Sequence, residues 1–214
     1  MAKNGEVSDL LGLALDPFSD DADEVQSTRQ PTARLLKRMM KDKAIAGLKR
    51  ETLAALVTAP PAPGECLHII SNGHFDYFNF VPLILGWIET ADELYGSTWT
   101  MSRQNALDLL AFYDSGKVNK ITMASGNYFL RRESTVANTI LEGLRARGQR
   151  FRTWENHAKL ILLSNAANGA YFVVEGSANW TANPRTEQNI LLNDRTVYDF
   201  HRQWLEEMFH HGKD

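Results

Sequence analysis

The chain has a single cysteine among 214 residues, Cys66, so an internal disulfide framework and any cysteine-rich zinc site are excluded. Cys66 heads the apolar run Cys66-Leu67-His68-Ile69-Ile70, which predicts a buried, inert thiol and a His68 satisfied in the core. Long hydrophobic runs are also missing. The largest apolar stretch, Phe78 to Ile88, contains Asn79, Pro82 and Gly86 and is too short to span a bilayer. The N-terminal MAKNGEVSDL lacks the basic-then-apolar order of a secretion signal, so a cytoplasmic protein without a membrane partner is expected. There is no G-x-x-x-x-G-K-[ST] phosphate loop, no His/Cys zinc spacing and no internal repeat.

What is present suits a packed core: 43% hydrophobic and 23% charged residues. The net charge is −3, but the charges are segregated. Residues 1–25 hold seven acids against Lys3, residues 29–50 eight basic side chains against Asp42, and residues 131–152 six arginines against Glu133 and Glu142. An acidic tail followed by basic stretches suits a protein that meets polyanions, and equally suits solvated helix faces. Residues 1–30 are acidic and weakly periodic, and disorder is expected there. Residues 31–58 form a basic amphipathic helical extension, capped by Thr32, with Leu35, Leu36, Met39, Met40, Ile45, Leu48, Leu53 and Leu56 near helical spacing. A stiff linker, Ala59-Pro60-Pro61-Ala62-Pro63-Gly64, separates it from a domain over 65–214.

Within that domain strands and helices alternate. Strands are expected at Leu67–Ser71, Ser97–Met101 and Val118–Ala124. The helices between and after them start near Val81, run from the Ser102 cap through Tyr113, and cover 129–147 with Gly148 as terminator. Then come strand-like Arg150–Trp154, Ala158–Leu163, Tyr171–Glu175 and Gln188–Leu192, with a turn at Asn165–Gly169, and a last helix from about Asp194 to Phe209. The fold class is α/β, a mixed and largely parallel sheet flanked by helices, with the N-terminal helical extension.

The chemistry concentrates in His157-Ala158-Lys159, Gly176-Ser177-Ala178-Asn179-Trp180 and Glu187. Residues two apart on a strand share a face, so His157 and Lys159 project together, roughly 7 Å apart at about 3.3 Å per residue. Gly176 permits close backbone approach to a ligand, Asn179 offers an amide, and Ser177 a hydroxyl and an N–H. An imidazole, a fixed cation and neutral donors suit a phosphodiester oxyanion without metal. Trp180, next to Asn179, is the aromatic expected to line the site; the cluster Phe75 to Trp99 reads as core. His74, just past the first strand, borders the site or supplies a second imidazole, and Ser125-Gly126-Asn127 also follows a strand end. His201 reads as a surface helix residue, and His210 and His211 receive no role.

His157-x-Lys159 followed by Gly176-Ser177-x-Asn179, with Glu187 beyond, resembles the phospholipase D superfamily. The sharp motifs cover about 30 residues, and the order of elements from 66 to 210 resembles one half of that fold. Ser164 stands where the family usually carries aspartate; the tyrosyl-DNA phosphodiesterases, which are active, resemble this chain in lacking it. The resemblance implies a two-step displacement through a phosphohistidine, with a second histidine protonating the leaving oxygen and no metal or cofactor required. One motif per chain implies a homodimer with the site at the interface, Glu187 orienting His157 or binding Lys159. Nucleic acid is expected as substrate rather than lipid, because similar single-motif members are nucleases, the basic stretches suit a polyanion, and no membrane-binding segment is apparent. Ser164 and the negative charge also admit a non-catalytic module that binds nucleic acid or phosphate; a phosphatidyl transferase is the third reading.

Overall fold

The computed structural model describes residues 50–181 and 184–211. The expected acidic tail and most of the 31–58 helix lie outside the described residues. The described end of that helix, α1 (50–56), buries Leu53 and pairs Arg50 with Asp108, so it docks on the domain.

Seven strands form one sheet: β1 (Cys66–Ser71), β2 (Glu93–Thr98), β3 (Ile121–Gly126), β4 (Arg150–Trp154), β5 (Leu160–Asn165), β6 (Ala170–Gly176) and β7 (Glu187–Asn193). Their spatial order is β1-β7-β6-β5-β2-β3-β4. The sheet is mixed, as expected, but only β2–β3 and β3–β4 are parallel; the other four pairings are antiparallel. The reason is the connections. Strands β5 and β6 are joined by the tight Ala166–Asn168 turn, which allows only antiparallel return, whereas helices carry the chain between β2, β3 and β4.

One face of the sheet packs on α2 (Phe80–Ile88), α3 (Arg103–Asp114) and α5 (Ser134–Ala146), burying Ile84, Leu109 and Ile140 against Ile161, Leu163 and Val174. Ser102 caps α3 as expected, its hydroxyl accepting from Asn105 N at 3.1 Å. The single helix expected over 129–147 is two, α4 (Asn127–Arg132) and α5, broken at Glu133. The other face packs on α6 (Arg195–His211), where Tyr198 and Leu205 meet Leu160, Leu162 and Val173.

Helix α6 does not extend over the edge strand β1. Leu67, Ile69 and Ser71 turn inward, while Cys66, His68 and Ile70 are exposed. The expected buried thiol and core His68 are therefore corrected: an apolar run reads as buried on both faces, but an edge strand has one face covered.

Charge pairs fasten α6 to the sheet. Arg202 and Lys120 converge on Glu93, and Arg150 forks onto Glu206, which also accepts from Tyr95 Oη at 2.6 Å. Arg150 holds the Glu206 carboxyl down to about 2. A depressed carboxyl contributes stability above its unfolded value, 4.5, and loses it as pH falls toward the folded value. The unfolding midpoint should therefore drop between about pH 5 and pH 2, and Glu206→Gln should flatten that part of the profile; thermal melts across pH check both.

Candidate functional site

Strands β1, β2, β3, β4 and β6 run one way and β5 and β7 the other. One rim of the sheet therefore gathers the C-terminal ends of the first five and the starts of β5 and β7. His157 and Lys159 lead into β5, Ser177 and Asn179 leave β6, Glu187 opens β7, and His74 follows β1. Gly176, at the end of β6, joins these six on or beside the rim.

Register decides which of them share a face. Leu160 pairs with Glu175, and Gly176 N donates to the Lys159 carbonyl at 3.4 Å, so Lys159 stands opposite Gly176. Gly176 pairs in turn with Asn189. Paired residues point to one face of a sheet. Lys159, Gly176 and Asn189 thus form a row, with Glu187 two residues from Asn189 on the same face. Tyr77 fixes this register from beneath: its buried hydroxyl donates to Val174 O at 2.6 Å and lies 3.2 Å from Lys159 O. Burial, reinforced by Glu175, holds its pKa well above the usual phenol range.

The strand starts at Leu160, later than expected, and His157 sits in the extended lead-in. Buried Asn156 fixes that lead-in, donating to Ser97 Oγ at 2.9 Å and accepting from Ala158 N at 3.0 Å, while Ser97 Oγ donates to Ala158 O at 3.0 Å. His157 is exposed; Lys159 is 7% exposed. The Lys159 ammonium donates to His157 O at 2.6 Å and lies 2.8 and 3.2 Å from the two ring nitrogens. Contact with both nitrogens sets the ammonium against the ring as a whole. Burial lowers the Lys159 pKa, and the Glu187 charge opposes that shift.

Glu187 accepts from Ser177 Oγ, which also accepts from Gln188 N at 3.1 Å; Ser177 N donates to Gln188 O at 3.0 Å. Glu187 thus bonds Ser177, and its charge acts on Lys159. The space a Gly176 side chain would fill is already taken: a Cβ there would meet Asn189 Oδ1 at 2.5 Å and Tyr77 Cε2 at 2.6 Å. The glycine makes room for the protein's own side chains. Asn179 is half-buried, and its buried Oδ1 has no hydrogen-bond partner among the described residues.

Three expectations change. Trp180 is fully buried, with its ring 5.2 Å from Phe78 and its backbone tied to Thr100 and Thr98, so it is core and not a site wall. The aromatic beside the imidazole is half-buried Trp99, ring centroid 5.6 Å from His157 and stacked on Tyr128 at 4.5 Å. Gly126 seats it, since a Cβ there would lie 2.5 Å from Trp99 Cδ1; Ser125 Oγ donates to Trp99 O at 3.2 Å, and Asn127 reaches Glu155 at 3.2 Å. His201 is no surface residue: it pairs with Glu175 and accepts from Trp204 Nε1 at 2.9 Å. His74 is exposed, and among the described residues no hydrogen bond joins it to His157. Nor, among the described residues, are three His, Cys, Asp or Glu side chains grouped to hold a metal.

Ser164 lies at the far end of β5, five residues or roughly 16 Å from Lys159. It is buried and accepts from Tyr198 Oη at 3.1 Å, so it anchors α6 instead of facing the rim.

No protein-family model matches the chain, and no curated protein matches it. Among solved structures it is similar to a phospholipase D family member, Nuc from Salmonella typhimurium, at TM-score 0.51 and 16% identity, over 70% of this chain and 98% of that one. It is also similar to polyphosphate kinase from Porphyromonas gingivalis, at 0.49 and 15%, over 66% of this chain. A third match is phosphatidylserine synthase from Haemophilus influenzae, at 0.48 and 10%, over 68% of this chain. The chain spans 25% and 38% of those two proteins. The fold is phospholipase-D-like: a mixed sheet flanked by helices. Among the described residues no helix is long and apolar enough to cross a membrane.

Ser164→Ala should cost roughly 1 kcal/mol of stability, the loss of one buried hydrogen bond; denaturant titration checks this.

Proposed function

We propose that the chain is a metal-independent phosphodiesterase, a nuclease acting through a phosphohistidine, with its site completed by a second copy. The observation that carries the reading is the placement of His157, Lys159, Ser177 and Glu187 on one rim, held by strand register and the Asn156–Ser97 clamp. Support at fold level comes from the likeness to a phospholipase D family member.

In the proposed reaction a neutral His157 nitrogen attacks phosphorus, a P–N bond forms and the P–O bond to the leaving group breaks. A second, protonated imidazole delivers its proton to the departing oxygen, then accepts one from the water that cleaves the P–N bond. Lys159 supplies fixed positive charge to the non-bridging oxygens, with Asn179 as a neutral donor. Its ammonium rests on the His157 carbonyl and ring, and an arriving anion competes for it directly. His157 from a second copy across a two-fold axis supplies the other imidazole.

Nucleic acid is favoured as substrate by the surroundings of His157. Trp99 and Tyr128 offer aromatic surface there, and exposed Arg131 and Arg132 on α4 add positive charge. Single-stranded DNA or RNA is the first substrate to try.

His157→Ala should abolish cleavage without lowering the unfolding midpoint, cleavage should persist in EDTA, and specific activity should fall on dilution as the dimer dissociates. Strict metal dependence, or an unimpaired His157→Ala, overturns the reading. Phosphate-protected protein that turns over no DNA, RNA or phospholipid would instead be a binding module.

A further inference from the structure

We infer that Arg132 binds a second backbone phosphate of the substrate, one that flanks the phosphate held at His157 and Lys159. The inference rests on the nuclease reading above and deepens it: the substrate is a single-stranded polynucleotide gripped at two phosphates, not an isolated diester.

Helix α4 stands on the same side of the sheet as the reacting groups. Lys159 shares its face with Ile161, and Ile161 belongs to the core into which α4 sends Phe129. From His157 a row of contacts leads outward along that side. The Trp99 ring lies 5.6 Å from the imidazole, Tyr128 is stacked on Trp99 at 4.5 Å, and the Arg132 guanidinium lies 5.3 Å from the Tyr128 centroid. Each member fixes the next: Gly126 leaves room for Trp99, Trp99 backs Tyr128, and Tyr128 Oη accepts from Arg132 Nε at 2.6 Å. Those three steps set the greatest span from imidazole to guanidinium. A stacked strand rising about 3.4 Å per nucleotide covers it within about five nucleotides, and an extended strand in fewer.

The Arg132 side chain suits the task. It is exposed, so an arriving strand meets it without rearrangement of the core. With Nε committed to Tyr128, both Nη groups are left without a protein partner among the described residues. That pair is a fork that matches two oxygens of one phosphate. The tyrosine contacts also hold the side chain in place beforehand, which lowers the ordering cost of binding. Its charge is uncompensated as well. Of the arginines in 131–152, Arg147 and Arg150 meet carboxylates, and Arg131 lies 3.9 Å from one. Arg132 has no carboxylate partner among the described residues. Arg145 likewise has none, but it lies in the last turn of α5, which leads into the start of β4 at the end of the sheet away from the site.

A ten-nucleotide single strand, tested as DNA and as RNA, is compared with bis(p-nitrophenyl) phosphate, which has no flanking phosphate. In Arg132→Gln the preference for the oligonucleotide, as the ratio of the two kcat/KM values, should fall about tenfold, the loss of one charge-assisted contact. The slope of log Kd for the oligonucleotide against log salt should become shallower by about 0.7, one phosphate on a single strand. Arg132→Lys keeps the charge and loses the fork, so it should restore the slope and only part of the preference. A slope and a preference both unchanged in Arg132→Gln overturn the inference, as does a wild type that binds neither oligonucleotide. If wild type binds one with an Arg132-dependent slope yet hydrolyses no diester, the inference stands and the phosphodiesterase reading falls. If wild type hydrolyses both substrates and Arg132→Gln matches it in slope and preference, the reverse holds.

Discussion

The alignment of β5, β6 and β7 is the constraint on which the rim depends. Side chains alternate faces along a strand, so a slip of one residue in either pairing would send Lys159 or Asn189 under α6 and bring Leu160 or Ile190 to the site. Several contacts resist such a slip. Leu160 and Leu162 are buried beneath α6, Tyr77 spans the Lys159 and Val174 carbonyls, and Gly176 is the one residue whose bare Cα admits both Asn189 and Tyr77. The motif glycine thus acts first on packing and only through packing on chemistry.

The parts of the site legible in the sequence were those with a short-range pattern. His157-x-Lys159 announces a shared face, Ser102 announces a helix start, and Arg150–Trp154 is bounded as read. The parts that escaped depend on tertiary neighbours. Whether an apolar strand is covered on one face or two is set by where α6 ends, so Cys66 and His68 were misplaced. Trp180 follows the motif asparagine yet turns into the core beside Phe78, whereas Trp99, distant in sequence, meets His157 because β2 ends at the same rim. Asn156 carries no signal of its own: an asparagine earns notice only when its buried partners are known.

Charge composition misleads for a related reason. The arginine-rich stretch 131–152 reads as a polyanion track, but Arg147 forks onto Asp114 and Arg150 onto Glu206, both at 2.7–2.8 Å contacts that neutralise them locally. Arg152 turns to the Phe209 carbonyl at the end of α6. Beside the rim stand Arg131, 3.9 Å from the Glu155 carboxylate, and Arg132, held at Tyr128 Oη at 2.6 Å. A polyanion would therefore meet local positive charge next to Trp99 and Tyr128, with specificity resting more on aromatic contact than on long-range attraction.

The proposed chemistry sets a final requirement that a single chain meets poorly. One imidazole cannot be deprotonated to attack phosphorus and protonated to release the leaving oxygen in the same step. Within the chain the nearest sequence candidate for the second imidazole is His74, exposed beyond β1, where Ser71 pairs with Glu187. Its loop leaves it without the clamp that Asn156 and Ser97 give His157, and a proton donor must be held to be effective. A second copy would bring an imidazole with the same clamp, the same lysine and the same tryptophan. The two rings would then be equivalent until substrate binds, and the polarity of the phosphodiester, which has one leaving oxygen, would decide which attacks and which protonates.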